Sequence, residues 1–296
     1  MDEKNLDEGT LEAMRTEQHP DRNRPEIPDG VAYELKKEYG KTNGRVLTGD
    51  VFTPVEVPEK PRPGIVFLHG GSWQHGDPSQ FHYHSGRLAS EFGFFCISVD
   101  YRLSEEAPFP AALHDSKCAV RWVHSQAEEQ NIDTDRIVIC GGSAGGHLSS
   151  MILTTVGVDE YEGDGGWGEY SSEANLGVIF NGEFDMWDLV EKGSLLEPMR
   201  LFMGGTPEEV PERYDELSSL HRVHENVVPV LQQHGTEDRC VSHEQAVAFH
   251  NKLTSVGVYS EIEIYEGKPH AWFNREPHRK ITTDRMIQFL VAQLNL

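Results

Sequence analysis

The sequence predicts an α/β protein built on a doubly wound, mostly parallel sheet, on three observations. After Pro61-Arg62-Pro63, short apolar runs alternate with longer amphipathic segments, as in βαβ units. The runs are rich in Val, Ile and Phe and lack strict alternation, so they read as strands buried on both faces. Residue types that do chemistry collect just after the runs, where open α/β sheets bind their ligands.

The 296 residues allow two domains or one large domain with insertions, at roughly 150 residues per domain. Residues 1–30 are polar, interrupted by Pro20, Pro25 and Pro28, and read as an arm with at best a marginal helix over 5–17. Residues 31–296 form the main domain. It opens with two strands, 31–37 and 45–52, paired antiparallel across a turn at 40–44. The buried strands follow at 64–68, 94–99, 137–140, 176–180, 228–232 and 261–265. Helices are expected at 80–92, 111–126, 144–155, 211–220, 243–255 and 280–294. The acidic, Gly-rich stretch 159–168 reads as a mobile loop.

Charge narrows the partners. Asp plus Glu number 49 against 26 Lys plus Arg, and the net charge of -23 repels phosphate backbones and anionic membrane surfaces. Residues 157–220 hold 16 acidic and 3 basic side chains, over half of that net charge, and read as an acidic insertion region beside the cleft. That concentration, with Lys (10) scarcer than Arg (16), also fits a protein adapted to high salt. No nucleic acid and no membrane partner is expected. No apolar run approaches the ~20 residues that span a bilayer. The charged start, Met1-Asp2-Glu3-Lys4, shows no secretory pattern, so a cytoplasmic location is expected. Cys96, Cys118, Cys140 and Cys240 have no CxxC spacing and read as free thiols. The pairs His82/His84 and His221/His224 lack a partner at zinc-site spacing, so no metal and no cofactor are expected.

The strand 137–140 runs into Gly141-Gly142-Ser143-Ala144-Gly145-Gly146 and then a helical segment. G-x-S-x-G between strand and helix is a nucleophile elbow: the serine is held on a sharp, strained turn with its hydroxyl projecting into the cleft. A serine hydroxyl attacks only if an imidazole takes its proton, and that imidazole needs a carboxylate to orient it and stabilise its charged form. Two later strand ends offer both, in His234-Gly235-Thr236-Glu237-Asp238 and in Lys268-Pro269-His270-Ala271-Trp272-Phe273. Ser143, Asp238 and His270 therefore read as a catalytic triad in the order Ser, acid, His. Glu237 would point opposite to Asp238 in extended chain, and Asp185 is the reserve acid. His147 reads as a local packing or capping group, and His69 and His234 as histidines that organise loops through backbone hydrogen bonds. The loop His69-Gly70-Gly71-Ser72-Trp73 can aim backbone N–H groups at a developing oxyanion, and Gly71, Ser72 and Ala144 are the candidate oxyanion-hole donors. Trp73 and Trp187 are candidate substrate-binding residues. The aromatics Trp167, Tyr170, Phe184 and Trp187 read equally as lining for the leaving group or as core and surface anchors.

Together with Asp100-Tyr101-Arg102-Leu103 and Ala107-Pro108-Phe109-Pro110, these five ordered motifs resemble the esterase branch of the α/β-hydrolase superfamily related to hormone-sensitive lipase and to bacterial acetylxylan and feruloyl esterases. The resemblance runs from about Arg62 to the end. It implies an eight-stranded sheet and a cofactor-free carboxylic ester hydrolase with its oxyanion hole at the glycine loop. Ser72 departs from the usual third glycine, which keeps the N–H but narrows the acyl pocket.

The expected reaction is acyl transfer to water through an acyl-enzyme on Ser143. Because the imidazole must start neutral and ordinarily titrates near ~6.5, the rate should climb from acid to neutral pH. Short acyl esters are the expected substrates, small molecules or oligosaccharides carrying acetyl groups, and a homodimer is the one assembly left open. Two other readings remain: an amide hydrolase similar to kynurenine formamidase, which shares the elbow and a glycine loop ending in Trp, and a non-catalytic hydrolase-fold binding protein.

Overall fold

Alternate residues of each central strand divide cleanly between two cores, which is what two layers of helices on one sheet require. In β3 (Arg62–Leu68), Ile65 and Phe67 join one cluster while Val66 and Leu68 join the other. The computed structural model describes residues 27–296, and the expected helix over 5–17, with nearly all of the arm, lies outside the described residues.

The sheet has eight strands in the order β1-β2-β4-β3-β5-β6-β7-β8. The first two, β1 (Val31–Thr42) and β2 (Arg45–Pro54), form an antiparallel hairpin, and β2 pairs antiparallel with β4 (Phe95–Asp100). From β4 onward every pairing is parallel, through β5 (Ile132–Gly142), β6 (Leu176–Phe180), β7 (Val230–Gly235) and β8 (Ser260–Tyr265). The expected turn at 40–44 is shorter than the composition suggests. Only Asn43 and Gly44 sit outside the strands, both at positive φ, which gives a two-residue turn whose twist suits a hairpin.

One face is covered by α1 (His82–Phe92) and α9 (His278–Leu294). Leu88, Ala89, Met286, Phe289 and Leu290 pack there on Ile65, Phe67, Cys140, Val178 and Phe180. On the other lie α2 (Ala111–Ser125), its short continuation α3 (Ala127–Gln130), α4 (Ala144–Thr154) and α8 (His243–Ser255). Val120, Leu148, Met151, Phe249 and Leu253 close that core. Helix α4 is buried along its whole length, so it carries almost no polar face, and its serines and threonines turn their hydroxyls back onto carbonyls one turn earlier.

Residues 157–220 are more than an insertion. They contain the buried strand β6 and three short helices, α5 (Met186–Glu191), α6 (Leu196–Met203) and α7 (Pro211–Glu216). Nor is 159–168 a free loop. Glu162 accepts from Lys117 Nζ at 2.8 Å and from Arg121 at 2.7 Å, and Trp167 Nε1 donates to the Tyr39 carbonyl at 2.6 Å. Buried cations on α2 thus draw an acidic segment onto the domain. All four cysteines are buried as thiols, two of them, Cys96 and Cys140, in central strands. His82 bonds Asp50 at 2.8 Å, and His84 is buried among Phe67, Phe81, Phe180 and Phe273, where loss of hydration pulls its imidazole down to about 3. No helix among the described residues is long and apolar enough to cross a membrane.

Candidate active site

Strand β5 ends at Gly142, helix α4 begins at Ala144, and Ser143 alone makes the turn between them. Its φ of 52° and ψ of -126° lie in a region that side-chain-bearing residues rarely occupy, a cost of about 1–3 kcal/mol that the surrounding packing must offset. The turn is held by two main-chain bonds: Ser143 N–H donates to the Phe180 carbonyl at 2.9 Å, and His147 N–H donates to the Ser143 carbonyl. The helix start can press this close to β3 only because Gly145 has no side chain, since a Cβ there would lie 1.9 Å from the Leu68 carbonyl oxygen.

The acid and the imidazole arrive from the two strands on the far side of β6. Thr236 N–H donates to the Tyr265 carbonyl and Glu237 N–H to the Lys268 carbonyl, so the loops after β7 and β8 are laced together. Phe273 then stacks on Phe180 at 4.5 Å and anchors the histidine loop to the sheet. His270 Nε2 comes within 2.9 Å of Ser143 Oγ, and His270 Nδ1 within 2.7 Å of Asp238 Oδ2. The structure thus brings together the three side chains singled out in the sequence. Glu237 is exposed where Asp238 is buried, and Asp185 instead caps α5, accepting from Trp187 N–H at 2.9 Å.

Asp238 is saturated with donors. Oδ1 accepts from the N–H groups of Cys240 and Val241, and Oδ2 also faces His234 Nε2 at 3.1 Å. Burial alone would push this carboxyl up, but the neighbouring His270 and His234 imidazoles outweigh it and hold the group well below the usual carboxylate range. It stays ionised, as an orienting partner for an imidazolium must. His234 was expected to bond backbone; it does, at 2.9 Å from the Val241 carbonyl, and its contact with Asp238 is additional.

Two residues that sequence reasoning passed over complete the site, both from the segment after β6. Asn181 Nδ2 lies 3.3 Å from His270 Nε2. Glu183, fully buried, places Oε1 3.2 Å from Ser143 Oγ, so the nucleophile touches two proton acceptors. Loss of hydration raises its carboxyl to about 7, against the opposing pull of His270. Its place, three residues beyond a buried strand, is the available signal, but Glu183 is one of 16 acids in its segment.

The glycine loop turns at Gly71, whose φ of 122° only glycine adopts without strain, and Ser72 and Trp73 follow at positive φ. Gln74 and His75 N–H groups close the turn on the Gly71 carbonyl. His69 stacks on Tyr101 at 4.2 Å, and the Tyr101 hydroxyl donates to the His69 carbonyl. Trp73, expected to bind substrate, is instead wholly buried: it stacks on Phe202 of α6 at 4.7 Å and donates from Nε1 to His147 Nδ1 at 3.3 Å, so it supports the glycine loop from within the core. His147 Nε2 donates in turn to the Leu217 carbonyl, and burial pulls its imidazole down to about 4, so it is a neutral strut between the loop and α7. Trp187 donates to Asp215 at 2.7 Å and packs on Tyr214; Phe184 stacks on Phe249 at 4.3 Å; Trp167 packs on Tyr170. Among these, the contacts of Phe184 and Trp167 are those of anchors.

An eight-stranded α/β sheet with a serine after β5, an acid after β7 and a histidine after β8 defines an α/β hydrolase, of the esterase branch related to hormone-sensitive lipase. Within that class, residues 50–253 match the BD-FAE family model, and the chain belongs to that family. Esterase LipC of Mycobacterium tuberculosis is 30% identical over 221 residues, 74% of this chain and 54% of LipC. Carboxylesterase NlhH of the same organism is 40% identical over 95 residues, covering 30% of this chain and 28% of NlhH. The chain spans about half the length of the first of these curated relatives. Esterase 2 of Thermogutta terrifontis, solved with propionate bound, superposes with a TM-score of 0.75 at 29% identity over 90% of this chain and 96% of that one. A truncated carbohydrate esterase from gut microbiota shares the fold, with a TM-score of 0.74 at 24% identity over 90% of this chain and all of that one, 100%.

Proposed function

We propose that the protein is a serine carboxylic ester hydrolase whose triad is Ser143, His270 and Asp238. The observation that carries this is the continuous relay from Ser143 Oγ to His270 Nε2 at 2.9 Å and from His270 Nδ1 to Asp238 Oδ2 at 2.7 Å. His270 takes the serine proton as Oγ attacks the ester carbonyl. The tetrahedral oxyanion forms against the N–H groups of Gly71, Ser72 and Ala144, each such donor being worth about 3 kcal/mol. His270 then returns the proton to the departing alcohol. Water, activated by the same imidazole, releases the acid, and Asp238 stabilises the imidazolium in both halves.

Short acyl groups, acetyl groups on carbohydrate fragments among them, are the substrates this reading favours. Support comes from the similarity to Thermogutta esterase 2, whose solved structures carry propionate and butyrate. The glycine loop ending in Trp73 also keeps the amide-hydrolase reading in play. Purified protein assayed on p-nitrophenyl esters of increasing chain length, on sugar acetates and on N-formylkynurenine decides between them. Rapid turnover of the acetyl esters with none of the formamide is the expected result; the reverse order overturns the ester assignment.

A further inference from the structure

The Ser143 hydroxyl carries one proton and faces two acceptors, His270 Nε2 at 2.9 Å and Glu183 Oε1 at 3.2 Å. His270 Nδ1 is committed as a donor to Asp238, so in the neutral ring Nε2 can only accept. If the serine proton points to Nε2, as attack requires, the contact with Glu183 is satisfied only when Glu183 itself bears a proton and donates it to Oγ. If Glu183 is ionised, it competes for the serine proton and turns it away from the base. It also sets a second negative charge beside the site where an oxyanion must form.

We propose that Glu183 is a proton-holding catalytic residue: protonated, it donates to Ser143 Oγ and aims the serine hydroxyl at His270, and its ionisation switches the nucleophile off. This rests on the ester-hydrolase reading above. The surroundings favour a protonated group. Glu183 is 0% exposed, and its other oxygen, Oε2, has no hydrogen-bond partner among the described residues; its own N–H and the Ser143 hydroxyl favour the carboxylate, but burial outweighs them. The titratable groups that face it are His270 and Asp238, from the loops after β8 and β7, with Ser143 from the elbow. His270 opposes the upward shift that burial imposes, Asp238 adds to it, and the carboxyl stands at about 7.

In the competent site Glu183 is protonated and His270 is neutral, with its ring proton on Nδ1 toward Asp238. A further proton at Nε2 charges His270 and removes the base; loss of the carboxyl proton leaves Glu183 ionised. No co-reactant enters, because the protons exchange with water.

The test is kcat/KM for p-nitrophenyl acetate across acid to alkaline pH at constant ionic strength, corrected with Ser143→Ala as the blank. Wild type should give a bell whose alkaline limb falls about tenfold per pH unit. Activity should return when the enzyme is brought back to neutral pH. Glu183→Gln, whose amide donates at every pH, should keep the acid limb and lose the alkaline one, as should Glu183→Leu at a lower plateau. An infrared difference spectrum between weakly acidic and alkaline wild type should show loss of a protonated-carboxyl C=O band, absent from the Gln variant. A wild-type plateau extending through alkaline pH overturns the proposal, as does an unchanged alkaline limb in Glu183→Gln. Should neither variant fold, the wild-type profile and infrared band decide alone. Absence of hydrolysis at every pH, with no phosphonate labelling of Ser143, would instead refute the esterase reading, a result distinct from an active enzyme without an alkaline limb.

Discussion

Asp238 Oδ2 serves a second imidazole besides that of His270: His234 Nε2 lies 3.1 Å away, wholly buried, and shares its proton with the Val241 carbonyl. The acid is therefore fixed from behind by the strand that delivers it. His234→Ala should cost about 1.5–3 kcal/mol of stability, the range for a hydrogen bond to a charged group. Asp238 is held below its ordinary range, so its contribution is present above that range and fades as pH falls through the folded value. Losing His234 should move that fade to higher pH. Urea titrations across the acid range measure both effects, and identical wild-type and variant curves would dismiss this role for His234.

Removing the nucleophile gives the sharpest functional outcome. Ser143→Ala should take up no organophosphonate and hydrolyse no ester, and Asp238→Asn should lower kcat by something like 10⁴. Intact-mass measurement after phosphonate treatment checks the first, and steady-state kinetics the second. A phosphonate adduct on Ser143→Ala would show the wrong serine had been chosen.

The elbow should be intolerant of one methyl group. In Gly145→Ala the new Cβ meets the Leu68 carbonyl oxygen at 1.9 Å, closer than any real contact, and the obstacle is backbone that cannot swing aside. Helix α4 or strand β3 must shift, and the proposed oxyanion donors with them. Loss of hydrolysis together with a lowered Tm is expected; near-native kinetics would mean that the helix start is looser than the packing indicates.

Glu162 answers two buried cations at once, Lys117 with 0% and Arg121 with 3% of the side chain exposed. Glu162→Gln removes the counter-charge of both, which keep carbonyl acceptors at Thr155, Gly166 and residue 162, at a cost of about 3 kcal/mol, toward the low end for breaking a buried pair because the glutamate also keeps 29% exposure. Although burial pushes its carboxyl up, Lys117, Ser172 and Arg121 bring it below the ordinary value. That stabilisation is thus present above the ordinary carboxylate range and is lost as pH falls through the folded value. Thermal melts at neutral and acid pH should converge for wild type and variant as the acid limit is approached.

With a net charge of -23, self-repulsion opposes the compact state unless counter-ions screen it. Tm and activity should both rise between dilute and molar KCl. Indifference to salt would leave the acidic surface without that explanation.

The buried strands and the three side chains of the relay were legible because each signal was local. A Val- and Ile-rich run, a glycine pair around Ser143 and an Asp or His just past a strand can each be read without knowing their neighbours. What escaped was what only the third dimension creates. Glu183 looks like any acid of its segment until β6 carries it under the elbow, and Asp159 to Gly168 looks loose until Lys117 and Arg121 rise from α2 to meet Glu162. Helices α5 and α6 are six and eight residues long, too short for a periodic pattern to stand out.

The hydroxyl stands in the middle of the sheet, while its base and acid are delivered by the last two strands at one border. A fragment ending before residue 230 would keep the elbow yet own an inert serine. Covalent tagging of Ser143 by a fluorescent fluorophosphonate can therefore serve as a gauge of how many molecules in a crude extract have finished assembling their last two strands.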